Sequence, residues 1–371
     1  MSWSFVVSMA AMFAIPLAGI TAAHAERTSG VLDPVTHENL SVYFVRGQSS
    51  SGPVPLTLHE AILKGSVNVH ETGQVNELII ENTGAEDVFV QAGDIVKGGK
   101  QDRVLTVSLL IPAGAGKIPI GAYCVEQGRW SPRGAEDAKR FSSSEKSVPS
   151  REAKLAMLAP EKPIRPHVDR QPAPDQQHVA REPNRIITQR QHRGEAPAPS
   201  RQSEVWAQVA KIQDSLSARV NERVNSGASA SSLQLSLENQ KLAETRTRYV
   251  EALKAAASND PQIVGVVIAI NGEISSADVY PSNGLFKKMW PKLLDAAATE
   301  AIGTSKTAQS TAPEIASVQS FLAAADSGKS ATTPDLAGAL IKQEIRDSAR
   351  TLVVESRRKD GGFVHRTYLA K

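Results

Sequence analysis

The stretch from Gln262 to Tyr280, QIVGVVIAINGEISSADVY, decides how this chain folds. Its first nine residues are mostly apolar and rich in Val and Ile, which is typical of a buried strand. Asn271-Gly272 follows, and because both residues tolerate a positive φ, this pair is a strong signal for a two-residue hairpin turn. The segment that begins at Glu273 is therefore expected to return as an antiparallel strand.

Helical patterns flank this hairpin on both sides and define a C-terminal half, residues 203–371. Apolar residues recur at helical spacing behind Ser203, the predicted N-cap. The predicted elements are helices over 205–224, 233–257, 283–302 and near 334–348, and a last hairpin formed by 351–356 and 363–370. Pro291 is expected either in the first turn of its helix or at a kink.

The first half, residues 31–140, has a different pattern. Short β-branched runs are separated by Gly, Pro and Asn turns, which predicts an antiparallel, sandwich-like sheet. These runs are 40–45, 67–69, 75–80, 87–91, 104–111 and 118–125. Thr57 and Glu60 have the spacing of a capping box and predict a short helix. The expected fold is α+β, with this β-rich half packed against the helix and hairpin half as one unit.

Between the halves lies a proline-rich stretch, residues 141–202. It holds nine of the 21 prolines and carries eleven Lys and Arg against seven Asp and Glu. Proline removes backbone donors and this composition offers little to bury, so we interpret the stretch as a disordered insertion. The chain has a net charge of +3, so the rest of it carries −1 and no nucleic-acid-binding face is predicted. The insertion is either a solvated tether or a weak contact with cell wall or anionic lipid.

The N-terminus has the pattern of a signal peptide. An apolar run from Phe5 to Ile20 is shorter than a bilayer span and is followed at once by Ala23-His24-Ala25, a small-residue cleavage site. Cleavage is expected after Ala25, which leaves a mature chain without a membrane span, in the periplasm or secreted. A single cysteine in such a chain excludes an internal disulfide.

The glycine-rich segment from Gly93 to Arg103, GDIVKGGKQDR, is the most unusual motif. A phosphate-binding P-loop is excluded because the spacing is one residue too long and Gln101 replaces the required hydroxyl. One interpretation is a structural turn at Gly93, Gly98 and Gly99, whose glycines take positive φ. The other is a ligand-binding loop, in which Lys100, Gln101 and Arg103 donate to an anionic or polar ligand.

A second motif, YCVEQGRW, ends a predicted strand at residues 123–130. Cys124 is expected to be a buried small residue, because Glu126 would raise rather than lower the pKa of its thiol. Glu126 and Arg129 are expected to form an ion pair, and both are candidate ligand-binding residues. Trp130 is expected to cover a core edge, with ligand stacking as the alternative.

The last strand carries His365, predicted to share a face with Phe363, Thr367 and Leu369. A lone histidine beside apolar residues is usually structural, and acid–base or ligand-binding work is the alternative. The common zinc and serine-hydrolase motifs are absent, so no metal site is predicted and no cofactor is named.

Together these motifs resemble a known domain family. The segments 93–104 and 124–130, with Val205-Trp206, Val264-Gly265, Asn271-Gly272, residues 286–294 and Val364-His365, are similar to the ARG and rhodanese-phosphatase-superfamily-associated protein domain. The resemblance spans about residues 31–371 without the insertion. It implies a link to ADP-ribose or NAD chemistry, and it supplies no catalytic residues.

Three functions remain open from the sequence. The first is an exported binding or interaction module without catalytic activity, which takes an anionic small molecule or a component of the cell envelope. The second is an enzyme for an anionic or ADP-ribose-like substrate, which requires the loop, Arg129 and His365 to meet in one pocket. The third is a structural envelope protein that uses the insertion as its contact.

Overall fold

A computed structural model describes residues 30–159, 200–257, 259–307, 311–324, 328–336 and 340–371. The helices are α1 (Leu58–Leu63), α2 (Arg151–Leu158), α3 (Arg201–Val220), α4 (Leu233–Leu237), α5 (Gln240–Leu253), α6 (Asn283–Gly303) and α7 (Ile315–Ala323), with a 3-10 turn at Lys254–Ala256. The strands of the first half are β1 (Gly30–Val31), β2 (Val35–His37), β3 (Leu40–Arg46), β4 (Leu56–Thr57), β5 (Val67–Glu71), β6 (Glu77–Asn82), β7 (Val88–Val90), β8 (Asp94–Gly98), β9 (Arg103–Leu105), β10 (Leu109–Ile111), β11 (Gly116–Cys124) and β12 (Phe141–Ser147). The strands of the second half are β13 (Ile263–Ile270), β14 (Glu273–Val279), β15 (Lys329–Leu336), β16 (Ile341–Asp347), β17 (Thr351–Arg358) and β18 (Phe363–Ala370).

The predicted hairpin β13–β14 is present at the centre of the largest sheet. In the described residues this sheet has nine strands, in the order β1-β3-β13-β14-β18-β17-β16-β15, with β2 paired to β3. All eight residues of β13 are buried, because apolar clusters cover both faces of the sheet. Asn271 takes a φ of 53° and Gly272 a φ of 79°, as the predicted turn requires.

The two halves of the chain share this sheet. β3 comes from the first half and pairs antiparallel with β13 of the second, with Tyr43 opposite Val267. The fold is therefore built from strands that are more than 200 residues apart in sequence. The α+β class predicted from the sequence is confirmed.

The other strands of the first half form two smaller sheets. One has the order β12-β8-β9-β11-β6-β5 and the other β10-β7-β4, of which β4 and β7 run parallel. The single strand predicted over 104–111 is divided into β9 and β10, which lie in different sheets. The capping box at Thr57 and Glu60 begins α1 as predicted.

The long helices cover one face of the large sheet. α3 buries its predicted apolar stripe, although it begins one turn earlier than expected, with Ser200 as its N-cap. α6 continues past Pro291, which stands in the helix interior rather than in the first turn. Since proline has no N–H, the carbonyl of residue 287 loses its helical donor there.

Three predictions about the second half and the insertion are wrong. Residues 334–348 form β15 and β16 rather than a helix, because Ile341, Gln343 and Ile345 alternate with more exposed residues at period two. The helix predicted over 233–257 is two helices, broken at Asn239, which caps α5. The insertion does not begin at residue 141, because β12 and α2 fold before it; residues 160–199 lie outside the described residues.

The predicted signal peptide, residues 1–25, also lies outside the described residues. Within the described ranges, no helix combines the length and apolarity that a bilayer crossing requires.

Candidate functional site

The glycine-rich loop joins β8 to β9 in the six-stranded sheet. Gly98 and Gly99 adopt φ values of 112° and 54°, which are in the region that favours glycine. A Cβ atom on Gly99 would lie 2.4 Å from the Phe141 ring. Glycine is thus required at Gly99 both by the turn and by close packing against β12, as the structural interpretation predicted.

Two carboxylates are fully buried beneath this loop. Asp102 accepts hydrogen bonds from the Gly98 amide at 3.0 Å, from both terminal nitrogens of Arg133 at 2.6 and 2.7 Å, and from the Ser232 hydroxyl at 2.7 Å. Glu126 accepts from the Asp102 amide at 3.0 Å. Because Ser232 caps α4, Asp102 links the loop to the second half of the chain.

Arg129 and Arg133 neutralise these carboxylates. Arg129 pairs with Glu126 at 2.7 Å, which confirms the ion pair predicted from the sequence, and its guanidinium also donates to the carbonyls of Gly98 and Gly99. Burial opposes ionisation of Glu126, but hydrogen bonds from Arg129, Ser229 and the Asp102 amide outweigh it and hold its pKa below the ordinary value.

Arg103 forms a third buried pair, with Glu71. Its guanidinium is fully buried, lies 3.4 Å from the Glu71 carboxylate and donates to the Gln101 carbonyl at 3.0 Å. Its Nε has no hydrogen-bond partner among the described residues. Gln101 is buried as well. We call Glu71, Asp102, Arg103, Glu126, Arg129 and Arg133 the charged hub; its members are occupied with one another.

Trp130 is exposed next to the hub and lies beside two cationic groups. The Trp130 ring is 46% exposed and lies 5.0 Å from the Lys100 ammonium and 5.5 Å from the Arg103 guanidinium. It therefore covers Arg103 rather than the edge of an apolar core, contrary to the first expectation. Lys100 forms no ion pair with a carboxylate in the described part of the chain, and the same is true of Arg140.

A cleft of about 500 Å³ opens beside Gly98. Its lining residues are Lys97, Gly98, Arg133, Ala135, Glu136, Asp137, Arg140, Phe141 and Ser142. Arg133 and Arg140 were not among the residues selected from the sequence. The signal that identifies Arg133 is the pair of acidic residues, Asp102 and Glu126, at strand ends where burial demands a cationic partner.

The thiol of Cys124 lies close to the hub and is buried, as predicted. Burial raises its pKa to about 11; the nearby Glu71 and Glu126 carboxylates add to this effect, and Arg103 opposes it. A thiol with this pKa is protonated at neutral pH and is a poor nucleophile.

His365 belongs to a different buried group. Its Nδ1 lies 3.0 Å from the Ser108 hydroxyl, and its Nε2 lies 3.2 Å from Asp278, although that N–H is not aimed directly at the carboxylate. The ring packs against Phe89 and Tyr280. All five residues are buried, which favours the structural interpretation of this histidine.

The face predicted for His365 is right for Thr367 and Leu369 and wrong for Phe363. The register of β17 and β18 shifts near His365, so that Phe363 packs with Arg357 and Arg366 on the other face of the sheet. The structure thus brings the loop and Arg129 together, whereas the contacts of His365 are with other residues. Within the described ranges no cluster of His, Cys, Asp and Glu suits a metal ion.

These features define a mixed α+β protein with a closed charged hub beneath a glycine-rich loop. Residues 29–369 match one domain family over almost the whole chain. The protein belongs to the ARG and Rhodanese-Phosphatase-superfamily-associated Protein domain family, as its motifs predicted. No curated protein and no protein of solved structure shows significant similarity to it.

Proposed function

We propose that this protein is an exported binding module without catalytic chemistry, and that the surface beside the charged hub holds an anionic ligand. The observation that carries the proposal is that Lys100 at the loop and Arg140 in the cleft form no ion pair with the described residues, although Glu136 and Asp137 also line the cleft. Beneath them the hub is paired internally. A hub whose charges are neutralised, beneath these two cations and the exposed indole of Trp130, favours recognition of a negatively charged group.

The state of the other groups supports binding rather than catalysis. Arg103 and Glu126 are fully buried, and they pair with Glu71 and Arg129, so neither side chain is presented to a substrate at the surface. The Cys124 thiol is protonated at neutral pH, and His365 contacts a separate set of residues. A general acid or base needs to reach the reacting atom, which these positions do not favour.

Binding is tested by isothermal titration calorimetry with inorganic phosphate, AMP and ADP-ribose. Fluorescence of Trp130 is a second, independent measurement of the same binding. We expect Lys100→Ala and Arg140→Ala each to weaken the best ligand by about three- to tenfold, the effect of one charge-assisted contact on the surface. The matched control is Lys117→Ala, an exposed lysine on β11 outside the cleft. If all three variants bind like the parent, or if no anion binds a folded parent, the ligand surface is elsewhere.

The export part of the proposal rests on the leader sequence and has its own test. We expect the mature chain to begin at Glu26, because peptidase pockets accept only small residues such as Ala23 and Ala25. Intact mass measurement of the periplasmic fraction checks this, and Ala25→Leu is expected to leave the leader attached. Full-length chain in the cytosolic fraction of the parent strain would contradict export without affecting the binding proposal.

A further inference from the structure

We propose a second binding site, for a short zwitterionic peptide with apolar side chains, in the cleft between α1 and β12 of the first half and α5 and α6 of the second. This cleft has a volume of about 400 Å³ and is distinct from the one beside Gly98. Its lining residues are Thr57, His59, Glu60, Glu145, Lys146, Val250, Lys288, Met289, Pro291, Lys292 and Asp295. Clefts of this size between packed units of a chain are the usual place for small ligands.

The floor of the cleft is apolar. Met289 and Val250 come from α6 and α5, and Pro291 adds its ring from the interior of α6. Met289 is buried, whereas Pro291 is exposed to the cleft side of the helix. A proline in a helix interior costs stability, because it removes a hydrogen bond and crowds the preceding turn. Its place here provides an apolar contact surface in the lining of the cleft.

The less exposed end of the cleft carries a surplus of positive charge. Lys146 Nζ and Arg246 Nε both lie 2.8 Å from the same oxygen of Asp295, so two cations share one carboxylate. Lys292 lies beside them in the lining and pairs with the buried Asp94 at 2.8 Å. Three cations against two carboxylates leave one positive charge, which favours a carboxylate of the ligand at this end.

The more exposed end carries the opposite surplus. Glu60 pairs with Lys288 at 3.0 Å, and Glu145, whose side chain is 75% exposed, lies 3.5 Å from His59 Nε2. Two carboxylates, those of Glu60 and Glu145, therefore lie at this end with the one ammonium of Lys288. This end therefore favours a cationic group, such as the terminal ammonium of a peptide.

The two ends lie along α6, with Lys288 at the outer end and Asp295 at the inner end, about 10 Å apart along the helix axis. A positive inner end, an apolar floor and a negative outer end match a molecule that has its carboxylate and ammonium on either side of an apolar body. A peptide of two or three apolar residues has this arrangement. A nucleotide or phosphate, the class proposed for the surface beside the hub, lacks the cationic end.

The test uses the mature chain and three probes in isothermal titration: leucyl-leucine, its N-acetyl derivative and its C-terminal amide. We expect the parent to bind leucyl-leucine, and each capped probe to bind about three- to tenfold more weakly, since each cap removes one charge. Equal binding of the three probes, or no binding of leucyl-leucine at millimolar concentration, would overturn the proposal.

Variants assign the two ends. Lys146→Met is expected to abolish the preference for the free carboxylate over the amide, because Arg246 still neutralises Asp295 and the fold is retained; Lys146→Arg is expected to restore it. Glu145→Gln is expected to reduce the preference for the free ammonium. The matched control is Lys287→Met, an exposed lysine of the same helix outside the cleft, which is expected to keep both preferences.

The test of the peptide site and the test of the anion surface can fail independently of each other. Lys100→Ala and Arg140→Ala are expected to leave peptide binding unchanged, and Lys146→Met to leave anion binding unchanged. If Lys146→Met keeps the carboxylate preference while it is folded by circular dichroism, the inner end is not where the carboxylate lies and the site is wrongly assigned. If that variant does not fold, the affinities of the parent for the three probes still show whether a peptide site with two charged ends exists.

Discussion

Replacing Asp102 with alanine is expected to lower the free energy of unfolding by about 3–5 kcal/mol, the cost of leaving a buried charge without its partner. The change removes the acceptor of the Gly98 amide, both terminal nitrogens of Arg133 and the Ser232 hydroxyl. It also separates the loop from the N-cap of α4, which belongs to the second half of the chain. Urea unfolding followed by far-UV circular dichroism measures the loss.

The control for this prediction is an ion pair that lies in water. Glu86 pairs with Lys64, and both side chains are about half exposed. Glu86→Ala is expected to cost no more than about 1 kcal/mol, because solvent screens exposed pairs. If Asp102→Ala lowers the free energy of unfolding by no more than Glu86→Ala does, the hub does not hold the two halves together.

Replacing His365 with phenylalanine is expected to destabilise the protein at neutral pH by about 3–5 kcal/mol, the range for breaking a buried charge contact. The substitution keeps ring packing against Phe89 and Tyr280 but removes both nitrogens. Asp278 then loses its 3.2 Å contact, and the Ser108 hydroxyl loses its 3.0 Å partner. Thermal and urea unfolding at pH 7 measure this effect.

The way in which stability depends on pH provides a second test of this prediction. Burial opposes ionisation of Asp278, but His365, Lys154 and the Thr367 hydroxyl outweigh it, so its pKa lies below the ordinary value. In the parent, the stability that this carboxylate contributes is present above the unfolded pKa of about 3.9 and is lost as the pH falls through the lower folded pKa.

In His365→Phe the main favourable partner of Asp278 is gone, so burial dominates and its pKa is expected to rise. The cost of the buried charge is then largest at neutral pH and is relieved as the pH falls and the carboxylate binds a proton. The difference in stability between parent and variant is therefore expected to narrow from pH 7 to pH 4.

Two comparisons test this assignment. Glu300, whose pKa is raised by burial, makes the protein lose stability as the pH rises, but it is present in both chains and cancels in their difference. Adding Asp278→Asn to His365→Phe removes the buried charge and is expected to recover part of the lost stability. A gap between parent and single variant that is constant with pH would contradict the role given to Asp278.

Much of the fold and part of the site could be predicted from the sequence, because those features depend on neighbours along the chain. The hairpin at Asn271-Gly272, the capping box at Thr57 and the pairing of Glu126 with Arg129 are all set within a few residues. The family was also recognisable, since its motifs are local segments. Where a local pattern was ambiguous, as in residues 334–348, the partner strand β17 decided the outcome.

The role of each charged residue could not be predicted from the sequence. Lys100, Arg103, Glu126 and Arg129 were all candidate ligand-binding residues, and the sequence did not show which of these charges are paired inside the protein. Arg133 reaches Asp102 across 31 residues, and Ser232 reaches it across 130. Once these contacts are formed, Lys100 and Arg140 have no carboxylate partner among the residues that the structure describes.

The sequence by itself determined the α+β class, the turns that need glycine or asparagine, the apolar faces of α3 and β13, and the family. These depend on φ preferences and on periodicity, which act over one or two turns of chain. The tertiary structure alone decided that β3 lies against β13, that the hub is closed, and that His365 contacts Asp278 rather than the loop. The physical reason is that burial and charge pairing are properties of the space around a side chain, and that space is filled by residues that lie far away along the chain.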